Sequence, residues 1–374
     1  MLYKAGDFLK AKGKALKILK TTFASALLLA AVASVAHRLP ECFSSHDPAA
    51  LAAAAFMLTD GKYRLTTGEE ATTEAEQQPT GSQPQTRTIK EYTAKPKPKS
   101  KIGYYDTFAN HEGEEKYDII SKNVGADGTA VDSCYVKNKT GLDFDFEEIL
   151  NRPLTFATEK NSGSPEVLIY HTHTGEAYLD ESVDYYYESY YSRTQNEDYN
   201  VVAVGEVITR ELNQRGINTY HEKAVHDSTY NGSYDRSTQT VEADMKEFGS
   251  VKVVLDIHRD AIGSDTAKVK PVFEYNGQQG AQIMILSGCD YYGEMDFDNW
   301  QNNLSFALKL QNTAEKLYPG MTRPMSFDFF VYNELICDGS LLIEVGSDAN
   351  SIEEVEYTAG LLADVIAKVL TDNG

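Results

Sequence analysis

Val253-Val-Leu-Asp-Ile-His258-Arg-Asp260 decides the fold class. Three β-favouring apolar residues open the run, Ile257 extends it, and it then turns abruptly charged. A buried strand that ends on His and Asp marks a functional edge, because the carboxyl ends of strands in an α/β sheet line the ligand crevice. Two other runs share this form: Val167-Leu-Ile-Tyr-His171-Thr-His173-Thr-Gly-Glu176 and Leu341-Leu-Ile-Glu344-Val-Gly346. Three strands ending on His or Glu predict one convergent site. Two histidines and a carboxylate around an open position are the donor set of a catalytic zinc site.

Working outward, apolar runs alternate with amphipathic ones. Val167–Tyr170 reads as a strand. The segment from Val201 to Arg215 reads as a helix, with Val204, Val207, Ile208 and Leu212 on one face and Gly216 as its stop. Strands are expected at Asn218–His221, Val251–His258, Val272–Tyr275, Gln282–Ser287 and Leu341–Val345. Helices are expected at Ser237–Phe248, Asn302–Leu317 and Ile352–Leu370. The alternation predicts an α/β fold with a mostly parallel twisted sheet and helices on both faces. Residues 161–374 form this domain, and residues 102–160 form a lead-in element in which Leu142–Asn151 alternates and then turns helical before Pro153.

The candidate site residues differ in sharpness. His171 and His173 sit two apart at a strand exit, a spacing that sends both side chains to one face and lets either or both reach a metal. Glu344 interrupts an apolar strand, where an ionised carboxylate is costly unless paired or functional, and desolvation would raise its pKa toward the range of a general base. Glu197 precedes a helix start, which by itself is ordinary dipole chemistry. Tyr185-Tyr-Tyr-Glu-Ser-Tyr190-Tyr191 fits equally a sugar-stacking face or a loop packed on the body.

The 374 residues allow one or two domains plus tails, and the net charge of −21 is uneven. An acidic body argues against nucleic acid as partner, since phosphate binding needs a basic face. Cys42, Cys134, Cys289 and Cys337 lack the paired spacing of a structural zinc site, leaving buried thiols or one or two disulfides. Residues 1–43 carry lysines up to Lys20 followed by the apolar stretch Phe23–Ala36, a signal peptide or signal-anchor that would place the body outside the membrane. Residues 44–101 read as a disordered linker, rich beyond residue 70 in Thr, Gln, Glu, Pro and Lys.

Five blocks in order carry a family resemblance: Val167–Tyr178, Asn200–Gly205, Val225–Ser237, Asp256–Asp260 and Ile343–Ser347. Together they resemble the stage II sporulation protein P family, exported cell-wall hydrolases of endospore-forming bacteria, itself similar to the zinc N-acetylmuramoyl-L-alanine amidases. The resemblance implies a zinc amidase-like fold preceded by a membrane segment and linker. It implies Zn2+ held by His173, Glu197 and His258, with His171 and Glu176 as rival ligands, and Glu344 as the catalytic residue with Asn350 and Glu353 downstream. His171, Glu176 and Arg259 are the candidate substrate-binding residues. The implied substrate is peptidoglycan, cut between N-acetylmuramic acid and L-alanine and also at peptide cross-links, during forespore engulfment. The implied partners are sporulation proteins D and M. A catalytically idle wall-binding scaffold, or a peptidase acting on proteins, is the alternative.

Overall fold

The computed structural model describes residues 104–264 and 266–372. The basic start, the apolar stretch and the linker lie outside the described residues. Among the described residues no helix is long and apolar enough to cross a membrane.

Among the described residues thirteen strands and five α-helices follow one another. The strands are β1 (Lys116–Lys122), β2 (Thr129–Val131), β3 (Cys134–Asn138), β4 (Val167–Tyr170), β5 (Tyr185–Tyr187), β6 (Thr219–His221), β7 (Val253–Asp260), β8 (Gly263–Ser264), β9 (Ala267–Tyr275), β10 (Gln278–Ala281), β11 (Ile283–Gly288), β12 (Met325–Asp328) and β13 (Gly339–Ser347). The helices are α1 (Phe146–Asn151), α2 (Val201–Gln214), α3 (Ser233–Phe248), α4 (Trp300–Leu317) and α5 (Ile352–Asp372).

The main sheet has the order β2-β3-β12-β11-β13-β7-β4-β6. Strands β13, β7, β4 and β6 run parallel to one another, whereas β11 runs antiparallel to β13. The expected mostly parallel sheet is therefore corrected to a mixed one. Parallel pairing needs a crossover connection, and between β7 and β11 the chain makes only strands. Asn276 and Gly277 both take positive φ, 52° and 73°, and close a two-residue hairpin between β9 and β10. The chain then enters β11 from the opposite direction. A true crossover, through α4, restores parallel pairing between β11 and β12.

A second sheet, β10-β9-β1-β5 with β8 beside β9, uses the lead-in strand β1. The lead-in residues thus supply strands to both sheets, while α1 buries Phe146, Ile149 and Leu150 in the main core. The tyrosine-rich run resolves into packing: Tyr186 and Tyr190 are buried with Ile119, Leu179 and Ala349, and of its tyrosines Tyr191 alone stands well exposed.

Alternation sorts the core. Val253, Leu255 and Ile257 face a cluster shared with α2, α4 and α5, while Val254, Leu168 and Tyr170 face α3 and its neighbours. Both faces of β4 and β7 are covered, which is why these strands read as continuous apolar runs. Truncating Leu255 to Ala would cost about 2–5 kcal/mol. Helix α2 starts on the Asn200 side chain, whose Oδ1 accepts from Val202 N at 3.0 Å, and Gly216 follows it at φ 81°. The fold thereby delivers the carboxyl ends of β4, β7 and β13 to one edge.

Candidate active site

His258 is the hub. Its position on β7 puts it on the same face as Asp256 and opposite Arg259, and it pairs across the ladder with Glu344 of β13. Its Nε2 lies 2.9 Å from Asp256 Oδ1 and its Nδ1 lies 3.5 Å from Glu176 Oε2. The Asp256 contact is a close charge pair rather than an aligned hydrogen bond, for His258 Nε2 has no partner of good geometry. Burial works to push His258 down, yet Asp256, with Glu176 and Glu344 adding to it, holds the imidazole up to about 10. Asp256 is held below the ordinary carboxylate value despite its burial, chiefly by His258, and it also accepts from Thr172 N at 2.9 Å and Thr172 Oγ1 at 2.6 Å.

His173 joins this hub. Its ring centroid is 5.4 Å from that of His258, and Tyr230 stacks on it at 4.6 Å with the rings nearly parallel. Nδ1 of His173 faces Ser233 Oγ at 3.4 Å, leaving Nε2 free to bind. Burial lowers its pKa, which favours the neutral form a metal needs. The turn that carries His173 and Glu176 is pinned by Asp227, which accepts from Gly175 N at 3.0 Å and pairs with Arg193.

Glu344 completes the group. It is partly exposed, but its Oε2 is covered and has no hydrogen-bond partner among the described residues. Burial raises its pKa to about 8, with His258 pulling the other way. Immediately after it the register with β7 slips, so that Ser347 rather than Gly346 meets Asp260. Gly346 sits at φ 69°, and a Cβ there would come 2.7 Å from Asn350 Oδ1. Such bulges re-aim side chains beside active sites.

The sequence candidates divide accordingly. His173, Glu176, His258 and Glu344 come together. His171 does not: β4 ends at Tyr170, the chain turns, and the same-face spacing fails. His171 Nδ1 donates to Ile257 O at 2.8 Å, so its Nε2 accepts, and His221 Nε2 donates to it at 2.8 Å. Arg259 also points away, its guanidinium donating to the carbonyls of Ala177, Ser192 and Asp260. Glu197 is exposed, 4.0 Å from Lys223. Asn350 shapes the turn, accepting from Ser347 N at 2.9 Å and donating to Glu354 at 2.9 Å, while Glu353 is exposed. Sequence reasoning missed the role of Asp256. The signal was its placement two residues before His258, on the same strand face. It also missed Tyr230 and Tyr234, which flank the two histidines.

Among the described residues no group of three or more His, Cys, Asp or Glu stands arranged to hold a metal. The donors nonetheless suit a zinc ion by type: two imidazoles and one carboxylate lie close together, and Asp256 lies against Nε2 of His258, where metal-bound histidines usually have an outer carboxylate. The orphaned Glu344 oxygen faces the same region. Cys134, Cys289 and Cys337 are free thiols and take no part.

The chain is similar to several known proteins. Stage II sporulation protein P of Bacillus subtilis (strain 168) is 28% identical over 220 residues, which are 55% of this chain and 51% of that protein, so the chain spans about half the length of this relative. Three solved structures align remotely. The CwlD amidase of Clostridioides difficile in complex with the GerS lipoprotein is 12% identical, covering 55% of this chain and 99% of that one, at a TM-score of 0.33. The N-acetylmuramoyl-L-alanine amidase AmiC2 of Nostoc punctiforme is 12% identical, covering 56% and 98%, at 0.32. The N-acetylmuramyl-L-alanine amidase Ami1 of Mycobacterium smegmatis is 14% identical, covering 57% and 100%, at 0.33. The family model for stage II sporulation protein P matches residues 54–367, and the chain belongs to that family.

Proposed function

We propose that the protein is a zinc-dependent peptidoglycan hydrolase of sporulating cells, an N-acetylmuramoyl-L-alanine amidase that also opens peptide cross-links. The observation that carries this reading is the meeting of His173, His258 and Glu176 beside a carboxyl, Glu344, raised to about 8. His173 through Nε2, His258 through Nδ1 and Glu176 through Oε2 would hold the ion. When bound, the ion supplies a Lewis acid for the scissile carbonyl and lowers the pKa of water.

The remaining work falls to the chain. Asp256 keeps Nε2 of His258 protonated and the ring turned, so that Nδ1 is the nitrogen presented. Glu344, with one oxygen unpartnered, takes the proton of the attacking water and returns it to the leaving amine. A cation nearby would bring its pKa down from about 8 toward neutrality, where a base is half-ready. Tyr230 and Tyr234 wall the two histidines and limit water. We further propose septal wall as the substrate during engulfment, sporulation proteins D and M as partners, and a membrane-anchored body outside the cytoplasmic membrane; the family match supports the sporulation role.

Purified sacculi incubated with the protein test this, with and without chelator and alongside Glu344→Ala. Release of stem peptides from the glycan that vanishes with chelator or with the variant is expected. A protein that binds zinc and sacculi yet releases nothing, even with a glycan-cleaving enzyme added, would be a scaffold. Cleavage of casein but not of sacculi would make it a protein peptidase.

A further inference from the structure

We infer that a row of aromatic side chains running outward from the site binds the glycan strand, so that the enzyme engages polymer beyond the bond it cuts. This rests on the peptidoglycan reading above. Tyr332 stacks on Tyr234 at 5.4 Å, with the rings 30° apart, and Tyr234 in turn lies over His258. Phe330 meets Tyr332 at 4.9 Å. Its neighbour Phe329 meets Tyr292 at 5.6 Å, and Tyr292 meets Tyr291 edge-on at 5.2 Å. The rings are thus in contact from the wall of the site to Phe330, and a second group, Phe329, Tyr292 and Tyr291, begins at the adjacent residue of the segment after β12 and reaches the segment after β11.

They are also open. Tyr332 is 38% exposed, Phe329 39%, Tyr292 61% and Tyr291 57%. Large apolar side chains scattered singly on a surface need no explanation, but two adjoining aromatic groups that start at the candidate site mark a binding face. Its ends are fixed: Glu334 accepts from Gly288 N at 3.0 Å, and Asn333 donates to Ser237 Oγ at 3.0 Å, tying the two segments to each other and to α3. An aromatic row held on a rigid base stacks with little loss of freedom on binding.

The chemistry selects the occupant. Glu294, Asp296, Asp298 and Asp328 lie in or beside the same two segments, which disfavours a polyanion such as a nucleic acid or a teichoic acid. A chain of N-acetylated pyranose rings offers apolar C–H faces at regular intervals and no charge along the glycan itself, and its hydroxyls can meet the phenols and carboxylates at the rim. Continuity with the candidate site favours this occupant over a second copy of the chain.

The test uses the full chain with a Tyr292→Ala, Phe329→Ala double variant, both side chains being exposed. Binding is measured to a β-1,4-linked N-acetylglucosamine oligomer and to sacculi, and hydrolysis is measured on sacculi and on a single disaccharide–peptide too short to reach the row. Expected is a loss of roughly tenfold or more in binding to oligomer and sacculi, a matching loss in sacculus hydrolysis, and no change on the short substrate. Unchanged binding, or equal loss on both substrates, would overturn the inference. If neither protein hydrolyses anything but the variant still loses oligomer binding, the glycan face stands and the hydrolase reading falls.

Discussion

Loading zinc into the metal-free protein near pH 7.5 should expel about one proton from His258 and a further fraction of one from Glu344, whose raised carboxyl the cation also acidifies. The perturbation is the ion itself, and the magnitude follows from the Asp256 contact at 2.9 Å, which outweighs burial and holds the imidazole at about 10 against an ordinary 6.5. At that pH a group titrating near 10 is ~99% protonated, whereas one at its ordinary value is about a tenth protonated. An imidazolium carries hydrogen on both nitrogens, so Nδ1 must lose one before it can ligate. Displacing that proton weakens apparent affinity by about 2.5 powers of ten, or ~3.4 kcal/mol. Affinity should therefore climb close to tenfold per pH unit up to about 9 and flatten beyond 10. His173 adds nothing to that slope, because burial holds it below its ordinary value. Calorimetric zinc titrations in two buffers of different ionisation enthalpy count the proton directly. In Asp256→Asn the count should fall by nearly one proton, leaving chiefly the fraction from Glu344, with metal affinity at high pH down roughly 10–100-fold for loss of the outer carboxylate. A count near zero in the wild type, or affinity flat between pH 7 and 9, would refute the charge-pair account of His258.

Other perturbations separate the candidates. Glu176→Gln should lose about a hundredfold or more in zinc affinity by equilibrium dialysis, while Glu197→Gln, exposed beside Lys223, should stay within about threefold; the reverse pattern would restore Glu197 as ligand. Glu344→Gln should cut turnover on sacculi by roughly 10²–10⁴-fold with zinc affinity little changed. The same variant has a stability signature. A carboxyl raised on folding to about 8 binds its proton more tightly in the folded chain, so its contribution is present below 4.5 and is lost as pH rises through 8. Urea unfolding of the metal-free variant should consequently weaken less between about pH 5 and pH 9 than that of the wild type, by a few kcal/mol at most, and parallel pH profiles would argue against a buried, raised Glu344. Gly205→Ala would place a Cβ 2.5 Å from His221 Nε2 and 2.8 Å from His171 Nε2. The overpacking should cost roughly 1–3 kcal/mol in the same assay.

The strands were legible because burial on both faces writes itself as near-continuous apolar runs, and Val253–Leu255 and Leu341–Ile343 needed no further clue. Direction was not legible. Whether β11 runs with or against β13 depends on the Asn276–Gly277 hairpin, a two-residue turn that reverses the chain. Helix α3 starts at Ser233, four residues before the expected start at Ser237, and its first buried apolar residue is Val241. Its first turn, Ser233-Tyr-Asp-Arg236, faces the polar site rather than the core, so hydrophobic periodicity had nothing there to register.

The site shows the same division between what one strand dictates and what its neighbour decides. Period-two alternation along β7 is a local property, and it settles three residues at once: Asp256 and His258 share the site face, and Arg259, the next residue after His258, must leave it. That reasoning was available from the sequence, and it would have removed Arg259 and raised Asp256. Applied to His171 and His173 it fails, because alternation holds only while the chain stays extended, and β4 ends at Tyr170. What ends it is not local. Asp256 on the adjacent strand captures both the amide and the hydroxyl of Thr172, folding the chain into the turn that sends His173 toward His258 and leaves His171 beneath it against His221. The same turn swings Glu176 toward His258 while Glu197, twenty-one residues later, stays at the surface. One buried carboxylate therefore sets the charge of one histidine and, through Thr172, the direction of the other. Substituting Asp256 should disturb both histidines together, whereas substituting Glu344 should leave their geometry intact.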